Sequence, residues 1–379
     1  MIYKINELLN TPSDRKIFLS GRTAQTAEGI TFFWTGSSLE FAVSGSELSV
    51  EVDVPASSLC PWICIYLNGH LLQRCLLRRG SQTLVVYDHL NYRETKHIRI
   101  IKDSPALLQN ADFEGESLYT VNAIRTDGVF SPLPEKAMKI ELIGDSITSG
   151  EGLFGYPGLI TEDLWFFTAQ PDLHYGMQIA ERLNADLRIV TQAGWGVYIG
   201  YINDPGYNIP SIYGQVCGVM NSPAARSLGA QASYDFCAWQ PDLIIVNLGT
   251  NDAAAFSNPE HVDPATGKIF KMRTLADGTF NGEDLDSIRS AAISFLKVLR
   301  SNNPKARIIW CYGMMGHEIE STLKEAVHIF GDPDVSYVSL PNTLEGEFGS
   351  VDHPGIPSHK KTADTLVAAI SEIGGTSHG

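Results

Sequence analysis

Over roughly the first third of the chain, apolar and polar positions alternate in short runs broken by Gly, Ser, Pro and Asn, the period-two pattern of half-buried strands. Residues 30–34 end at Gly36, residues 39–43 end at Gly45, and residues 48–52 follow after one turn. Residues 62–67, 71–76, 83–87 and 97–101 continue the series, about eight strands in all, the number of a jelly roll. This texture predicts an all-β jelly-roll sandwich over residues 1–134.

At Ser131-Pro132-Leu133-Pro134 the pattern changes, because two closely spaced prolines suit a seam between domains. Beyond it, β-branched apolar runs at 139–143, 187–190, 243–246, 307–312 and 335–338 have the continuous hydrophobicity of strands buried on both faces. Amphipathic segments at 173–183, 285–299, 323–330 and 358–373 lie between and after them. Strand and helix in alternation predict a three-layer α/β/α domain with a parallel sheet over residues 135–379.

Composition narrows the class. The 379 residues are 44% hydrophobic and 19% charged, enough apolar material for two cores, and no apolar run approaches the about 20 residues that cross a bilayer. The net charge of −15 falls almost wholly on the second region: residues 1–134 carry −2 and the remainder −13. An acidic surface repels nucleic acid, anionic membranes and polyanions, so a neutral substrate is expected, with no nucleic-acid or membrane partner. A homo-oligomer is left open. Residues 1–10 have no basic segment followed by an apolar one, which predicts a cytoplasmic location and short imported oligosaccharides as substrate. The six cysteines (Cys60, Cys64, Cys75, Cys217, Cys237, Cys311) have no paired metal-ligand spacing and read as free, mostly buried thiols. No cofactor and no metal is expected.

In a parallel α/β sheet, ligands bind beyond the carboxyl ends of the strands, and four such places carry chemistry. After the first strand, Gly144-Asp145-Ser146 sets a serine at a strand-to-helix turn. Gly194 follows the second strand, where the missing side chain allows a backbone N–H to approach a developing oxyanion. Gly249-Thr250-Asn251-Asp252 follows the third and offers a carboxamide donor at Asn251. Asp352-His353-Pro354 precedes the last helix and supplies a base able to deprotonate the serine. Asp145 and Asp252 read as structural groups that hold turns or cap helices. His359 reads as packed in the last helix, and His317 as a strand-end residue without an assigned role.

These four blocks, in this order, resemble those of the SGNH/GDSL hydrolases. The resemblance implies Ser146 as nucleophile, His353 as base, and Ser146 N–H, Gly194 N–H and Asn251 as oxyanion hole. In the first region, Gly21-Arg22-Thr23, the run Phe33-Trp34-Thr35-Gly36-Ser37-Ser38-Leu39-Glu40-Phe41 and Ser44-Gly45-Ser46-Glu47-Leu48-Ser49-Val50 resemble the jelly roll preceding that domain in family-two carbohydrate esterases. That family removes acetyl groups from acetylated xylan and related plant carbohydrates, which makes an acetylated oligo- or polysaccharide the implied substrate. A lipase or thioesterase for longer acyl chains and a non-catalytic carbohydrate-binding protein are the alternatives.

The sequence departs from the family at the third triad position. An Asp two or three residues before the histidine is common there, yet Ser350 and Val351 occupy those places. Asp352 is the candidate for orienting the imidazole, against a backbone carbonyl, Glu347 or Glu345. Adjacent side chains in extended chain point apart, so Asp352 needs a sharp loop turn to serve. Trp165 and Trp195 are candidate sugar-stacking residues.

Overall fold

The computed structural model describes residues 1–9, 16–107, 116–158 and 173–375, which form two compact units. The first holds Met1–Lys136 and Gln215–Tyr234; the second holds the remaining described residues.

The first unit is a sandwich of two six-stranded antiparallel sheets. One runs Thr23–Gln25, Ile30–Phe32, Tyr119–Thr126, Leu48–Val54, Gly80–Tyr87, with Ile2–Lys4 also paired to Tyr119–Thr126. The other runs Phe130–Ser131, Ser38–Val43, Lys96–Lys102, Trp62–Leu67, His70–Leu76, with Ile17–Ser20 also on Ser38–Val43. In Leu48–Val54 the odd–even register is literal: Leu48, Val50, Val52 and Val54 are buried while Ser49, Glu51 and Asp53 are partly exposed. Their inward row meets Ile63, Ile65, Ile98 and Ile100 of the facing sheet in one core. Trimming such a side chain to alanine costs about 2–5 kcal/mol, Ile98 included, because the closed sandwich cannot collapse into the gap.

Gln215–Tyr234, which the sequence does not set apart from its surroundings, joins this unit through polar anchors. Trp34 Nε1 donates to the Val216 carbonyl at 2.6 Å, Arg22 donates to the Gln215 carbonyl at 2.9 Å, and the Glu116 carboxylate accepts from Ser222 N at 2.8 Å. Arg22 and Trp34 are almost wholly buried, so each bond satisfies a group that would otherwise be stranded away from water. None of the six cysteines is in a disulfide: Cys64, Cys217 and Cys311 are buried and Cys237 is exposed.

The second unit carries a five-stranded parallel sheet in the order Ala185–Thr191, Met138–Gly144, Leu243–Asn247, Arg307–Met314, Val335–Asn342. Helices cover it as two packed pairs, Tyr175–Arg182 with Ile356–Gly375 and Gly282–Asn302 with Glu320–Phe330. The order explains the pairing. The chain steps one way from the first strand to the second and the other way from the third to the fifth, and right-handed crossovers then deliver helices to opposite faces. The first and third strands are neighbours, so the direction of winding reverses between Gly144 and Asn247, opening the crevice in which such sheets bind ligands. The expected fold class is what the structure has: an antiparallel sandwich followed by an α/β/α layer fold. No helix among the described residues is long and apolar enough to cross a membrane.

Candidate active site

Ser146 opens the short helix Ser146–Ser149 directly beyond the first parallel strand. Asp145 caps it, its carboxylate accepting from Ile147 N at 3.0 Å, and burial pushes the Asp145 carboxyl up to about 7 against that bond. Gly144 is required by close approach: a Cβ there would lie 2.0 Å from Thr148 Oγ1 and 2.8 Å from the Asn247 carbonyl oxygen. The serine is held at the strand end by backbone geometry, with its side chain 7% exposed.

His353 Nε2 lies 2.9 Å from Ser146 Oγ, and His353 Nδ1 lies 2.8 Å from the Val351 carbonyl oxygen. A carbonyl only accepts, so Nδ1 carries the proton and Nε2 is left with its lone pair toward the hydroxyl, the tautomer that a general base needs. The loop achieves this by turning left-handed at two consecutive residues, Val351 (φ 48°) and Asp352 (φ 54°), which folds the carbonyl back under the ring. Left-handed valine is strained, and the strain is held by surrounding bonds: Ser350 N donates to the Gly152 and Phe154 carbonyls, and Gly349 N to the His353 carbonyl. Gly152 (φ 70°) supplies the space, since a Cβ on it would meet His353 Cβ at 2.4 Å.

Asp352 is not the orienting group. Its side chain is exposed to solvent, and the position at Nδ1 belongs to Val351. Glu347 is occupied by Lys361 and by Leu344 N, and Glu345 is exposed. Ser146 and His353 form a hydrogen-bonded pair, and a peptide carbonyl braces the imidazole.

The other two residues singled out in the sequence, Gly194 and Asn251, lie beyond two further strand ends. Gly194 adopts φ 77°, a left-handed turn immediately after the second strand. Asn251 lies near the start of the helix Thr250–Ala254, where Nδ2 gives one hydrogen to the Trp195 carbonyl at 3.0 Å and keeps a second for a ligand. The two ends are fastened together by Asp252, whose carboxylate accepts from Val197 N (2.8 Å), Tyr198 N (2.8 Å) and Ile199 N (3.1 Å). Asp145 and Asp252 are thus turn-holding groups.

Trp195 does not face a ligand. It is buried and stacks on Tyr207 at 5.4 Å and 11°, because the turn at Gly194 sends the next side chain inward. Trp165 lies outside the described residues. The aromatic ring beside Gly194 is Tyr201, 44% exposed, whose edge would lie 3.0 Å from a Cβ on that glycine. Sequence reasoning passed over it because it sits in an irregular loop; Gly194 with Gly196 and Gly200 nearby is the one hint that this loop folds tightly. His359 is fully buried, with Nδ1 accepting from Tyr175 N at 3.2 Å, and His317 lies 3.4 Å from Glu320. Among the described residues no group of three or more His, Cys, Asp or Glu is arranged to hold a metal ion.

Residues 140–364 match the family described as GDSL-like lipase/acylhydrolase. Over its whole length the structure is similar to an acetyl xylan esterase, Est2A, from the rumen bacterium Butyrivibrio proteoclasticus, with TM-score 0.92, 37% identity, and 99% of each chain covered. A family-two carbohydrate esterase from Clostridium thermocellum, solved with cellohexaose, shares the fold at TM-score 0.75 and 23% identity, over 95% of this chain and 99% of that one. Among curated relatives, an acetylxylan esterase/glucomannan deacetylase of Cellvibrio japonicus is 29% identical over 246 residues, 63% of this chain and 62% of its own length. A cellulase/esterase of Acetivibrio thermocellus is 26% identical over 89% of this chain but only 37% of its own length, so the chain spans less than two thirds of both. The matched stretch covers more than half of the sequence and contains Ser146, Gly194, Asn251 and His353, and the chain therefore belongs to the GDSL-like lipase/acylhydrolase family.

Proposed function

We propose that this chain is a carbohydrate acetyl esterase, a carboxylic ester hydrolase that removes O-acetyl groups from xylan-type oligo- or polysaccharides through an acetyl-enzyme on Ser146. The observation that carries the reading is the 2.9 Å contact between Ser146 Oγ and a His353 Nε2 whose other nitrogen is committed to a carbonyl acceptor. Family membership and the names of the similar esterases support the acyl group and the substrate class.

Chemistry follows from the geometry. His353 Nε2 takes the Ser146 proton as Oγ attacks the acetyl carbonyl, and the resulting imidazolium returns that proton to the departing sugar oxygen. Ser146 N–H, Gly194 N–H and Asn251 Nδ2 are the donors for the oxyanion, each worth about 3–4 kcal/mol in reactions of this kind. Water then repeats the attack on the acetyl-enzyme with the same base, releasing acetate. The acidic second region favours a neutral glycan over a charged one, and the exposed Tyr201 ring beside Gly194 offers a face for a sugar ring.

The test is acetate release from acetylated xylo-oligosaccharides by the purified chain. Ser146→Ala must abolish release while leaving the folded state intact; full release by that variant would remove the proposal. A chain-length series of aryl esters separates it from a lipase, since the rate must fall as the acyl chain lengthens beyond acetyl.

A further inference from the structure

Three buried aromatic side chains join the helix that carries Ser146 to the helix that follows His353. The rings of His174, Tyr175 and His359 have centroids 4.8, 5.4 and 5.6 Å apart, and all three residues are buried. His174 Nδ1 accepts from Gly176 N at 3.1 Å, so Nε2 carries the proton, which it donates to the Thr148 carbonyl at 2.9 Å. The Tyr175 hydroxyl accepts from Asn247 Nδ2 at 3.4 Å and lies 2.8 Å from Thr148 Oγ1. Thr148 belongs to the Ser146–Ser149 helix, which is thus held at two atoms of one residue. On the other side, Tyr175 N donates to His359 Nδ1 at 3.2 Å. Two imidazoles from distant parts of the chain therefore take the first two N–H groups of the helix Tyr175–Arg182, groups with no partner inside that helix. Both rings must be neutral to accept at Nδ1. Burial holds His174 at about 4 and His359 well below its ordinary value, and the positive end of the helix also disfavours a cation there.

We propose that His359, acting through Tyr175 and Thr148, sets the separation between the helix that bears Ser146 and the loop that bears His353, which makes it a positioning residue for proton transfer between them. The inference rests on the esterase reading above. His359 lies near the start of the helix Ile356–Gly375, and its N–H donates to the Gly355 carbonyl at 3.1 Å. Gly355 N donates to the Glu347 carbonyl at 2.8 Å and Gly349 N to the His353 carbonyl at 2.8 Å, so the imidazole loop is fixed to that helix start. The linkage runs in series. Two bonds grip Thr148 at the nucleophile end, and one bond, at His359 Nδ1, closes the base end. Without that acceptor Tyr175 N is a buried donor with nothing to bind, and the two helices must readjust to relieve it. The contact they set, 2.9 Å between Ser146 Oγ and His353 Nε2, has only a few tenths of an ångström, about 0.3 Å, before it leaves good hydrogen-bond range. Bonds from Ser350 N to the Gly152 and Phe154 carbonyls hold the loop independently, so the loss is partial and not complete.

The experiment measures kcat and KM separately on an aryl acetate for the full chain and for His359→Leu, His359→Asn, Tyr175→Phe and the double variant His359→Leu/Tyr175→Phe, each checked for folding by circular dichroism. His359→Leu removes the acceptor and is expected to lower kcat about tenfold with KM within about twofold, the signature of an interaction felt only in the transition state. Asparagine places Oδ1 where Nδ1 stood, so His359→Asn must keep kcat within about threefold of wild type. Tyr175→Phe removes one of the two grips on Thr148 and is expected to lower kcat about threefold. Links in series fail together, so the double variant should be no more than about twofold slower than His359→Leu, whereas independent effects would multiply to about thirtyfold. A His359→Leu enzyme with wild-type kcat overturns the inference, and so does a His359→Asn enzyme as slow as His359→Leu or a double variant whose losses multiply. Should His359→Leu fail to fold, Tyr175→Phe decides alone, and wild-type kcat in it overturns the inference. Ser146→Ala retaining activity would sink the esterase reading itself, an outcome distinct from a fast His359→Leu enzyme that still depends on Ser146.

Discussion

Replacing Gly152 by alanine tests whether the dyad depends on the space this residue leaves. The added Cβ would stand 2.4 Å from His353 Cβ and 2.3 Å from the Ser350 carbonyl oxygen, where ordinary contact begins at 3.4 Å. Both neighbours belong to the turn that carries the imidazole, and the carbonyl side is fixed backbone, so relief requires the histidine loop to retreat by about 1 Å. The 2.9 Å bond between Ser146 and His353 then stretches beyond hydrogen-bond range. A displacement of that size at reacting groups costs about 100-fold in rate. The left-handed φ of 70° adds roughly 1–2 kcal/mol of backbone strain to the stability loss. Gly346→Ala is the control: its φ is 84° and nothing lies within 4 Å of the new Cβ, so it bears the strain without the collision. The assay is kcat and KM on an aryl acetate beside denaturant unfolding of each variant. A Gly152→Ala enzyme whose kcat stays within about threefold of wild type would refute the reasoning, because a loop that yields so readily cannot be what positions the base.

Other substitutions read other parts of the site. Asp352→Asn is expected to leave kcat within about twofold of wild type, since the exposed carboxylate does not touch the ring and asparagine tolerates left-handed backbone; a loss above about 100-fold would restore Asp352 to the dyad. Asn251→Ala is expected to lower kcat about 10²–10³-fold with KM nearly unchanged, which steady-state kinetics on the acetate ester will show. Burial holds His174 at about 4 against an ordinary 6.5, so below pH 6.5 the unfolded chain takes up a proton that the folded one refuses. The contribution of His174 is therefore fully present above that pH and falls by up to about 3 kcal/mol as pH falls to 4. Guanidinium unfolding of wild type and His174→Asn at pH 7 and pH 4.5 isolates that contribution as the change in the difference between the two proteins, which also removes the opposite contribution of buried carboxyls such as Asp145.

The architecture was legible because it follows from periodicity. The five parallel strands lie where continuous β-branched runs predicted them, and the helices Gly282–Asn302 and Glu320–Phe330 where the amphipathic stripes did. The short N-terminal strands Ile2–Lys4 and Thr23–Gln25 were not: three residues give no period to read. The meeting of Ser146 and His353 was legible because residues at strand ends of a parallel sheet converge by topology. The partner of His353 Nδ1 was not, because it depends on Val351 taking a left-handed conformation that a β-branched side chain disfavours and no local signal announces. The orientation of Trp195 depends on Tyr207, a partner beyond the local pattern, and the allegiance of Gln215–Tyr234 rests on single buried bonds from Trp34 and Arg22 without any compositional mark.

Asp252 bears on how this scaffold tolerates change. Its carboxylate reaches back 53 residues to Ile199, and between those points the chain makes a long excursion that includes Gln215–Tyr234. One side chain closes the base of the excursion, so a change of length confined to its outer part, away from the central strand Leu243–Asn247, leaves the spacing of Gly194 and Asn251 in place.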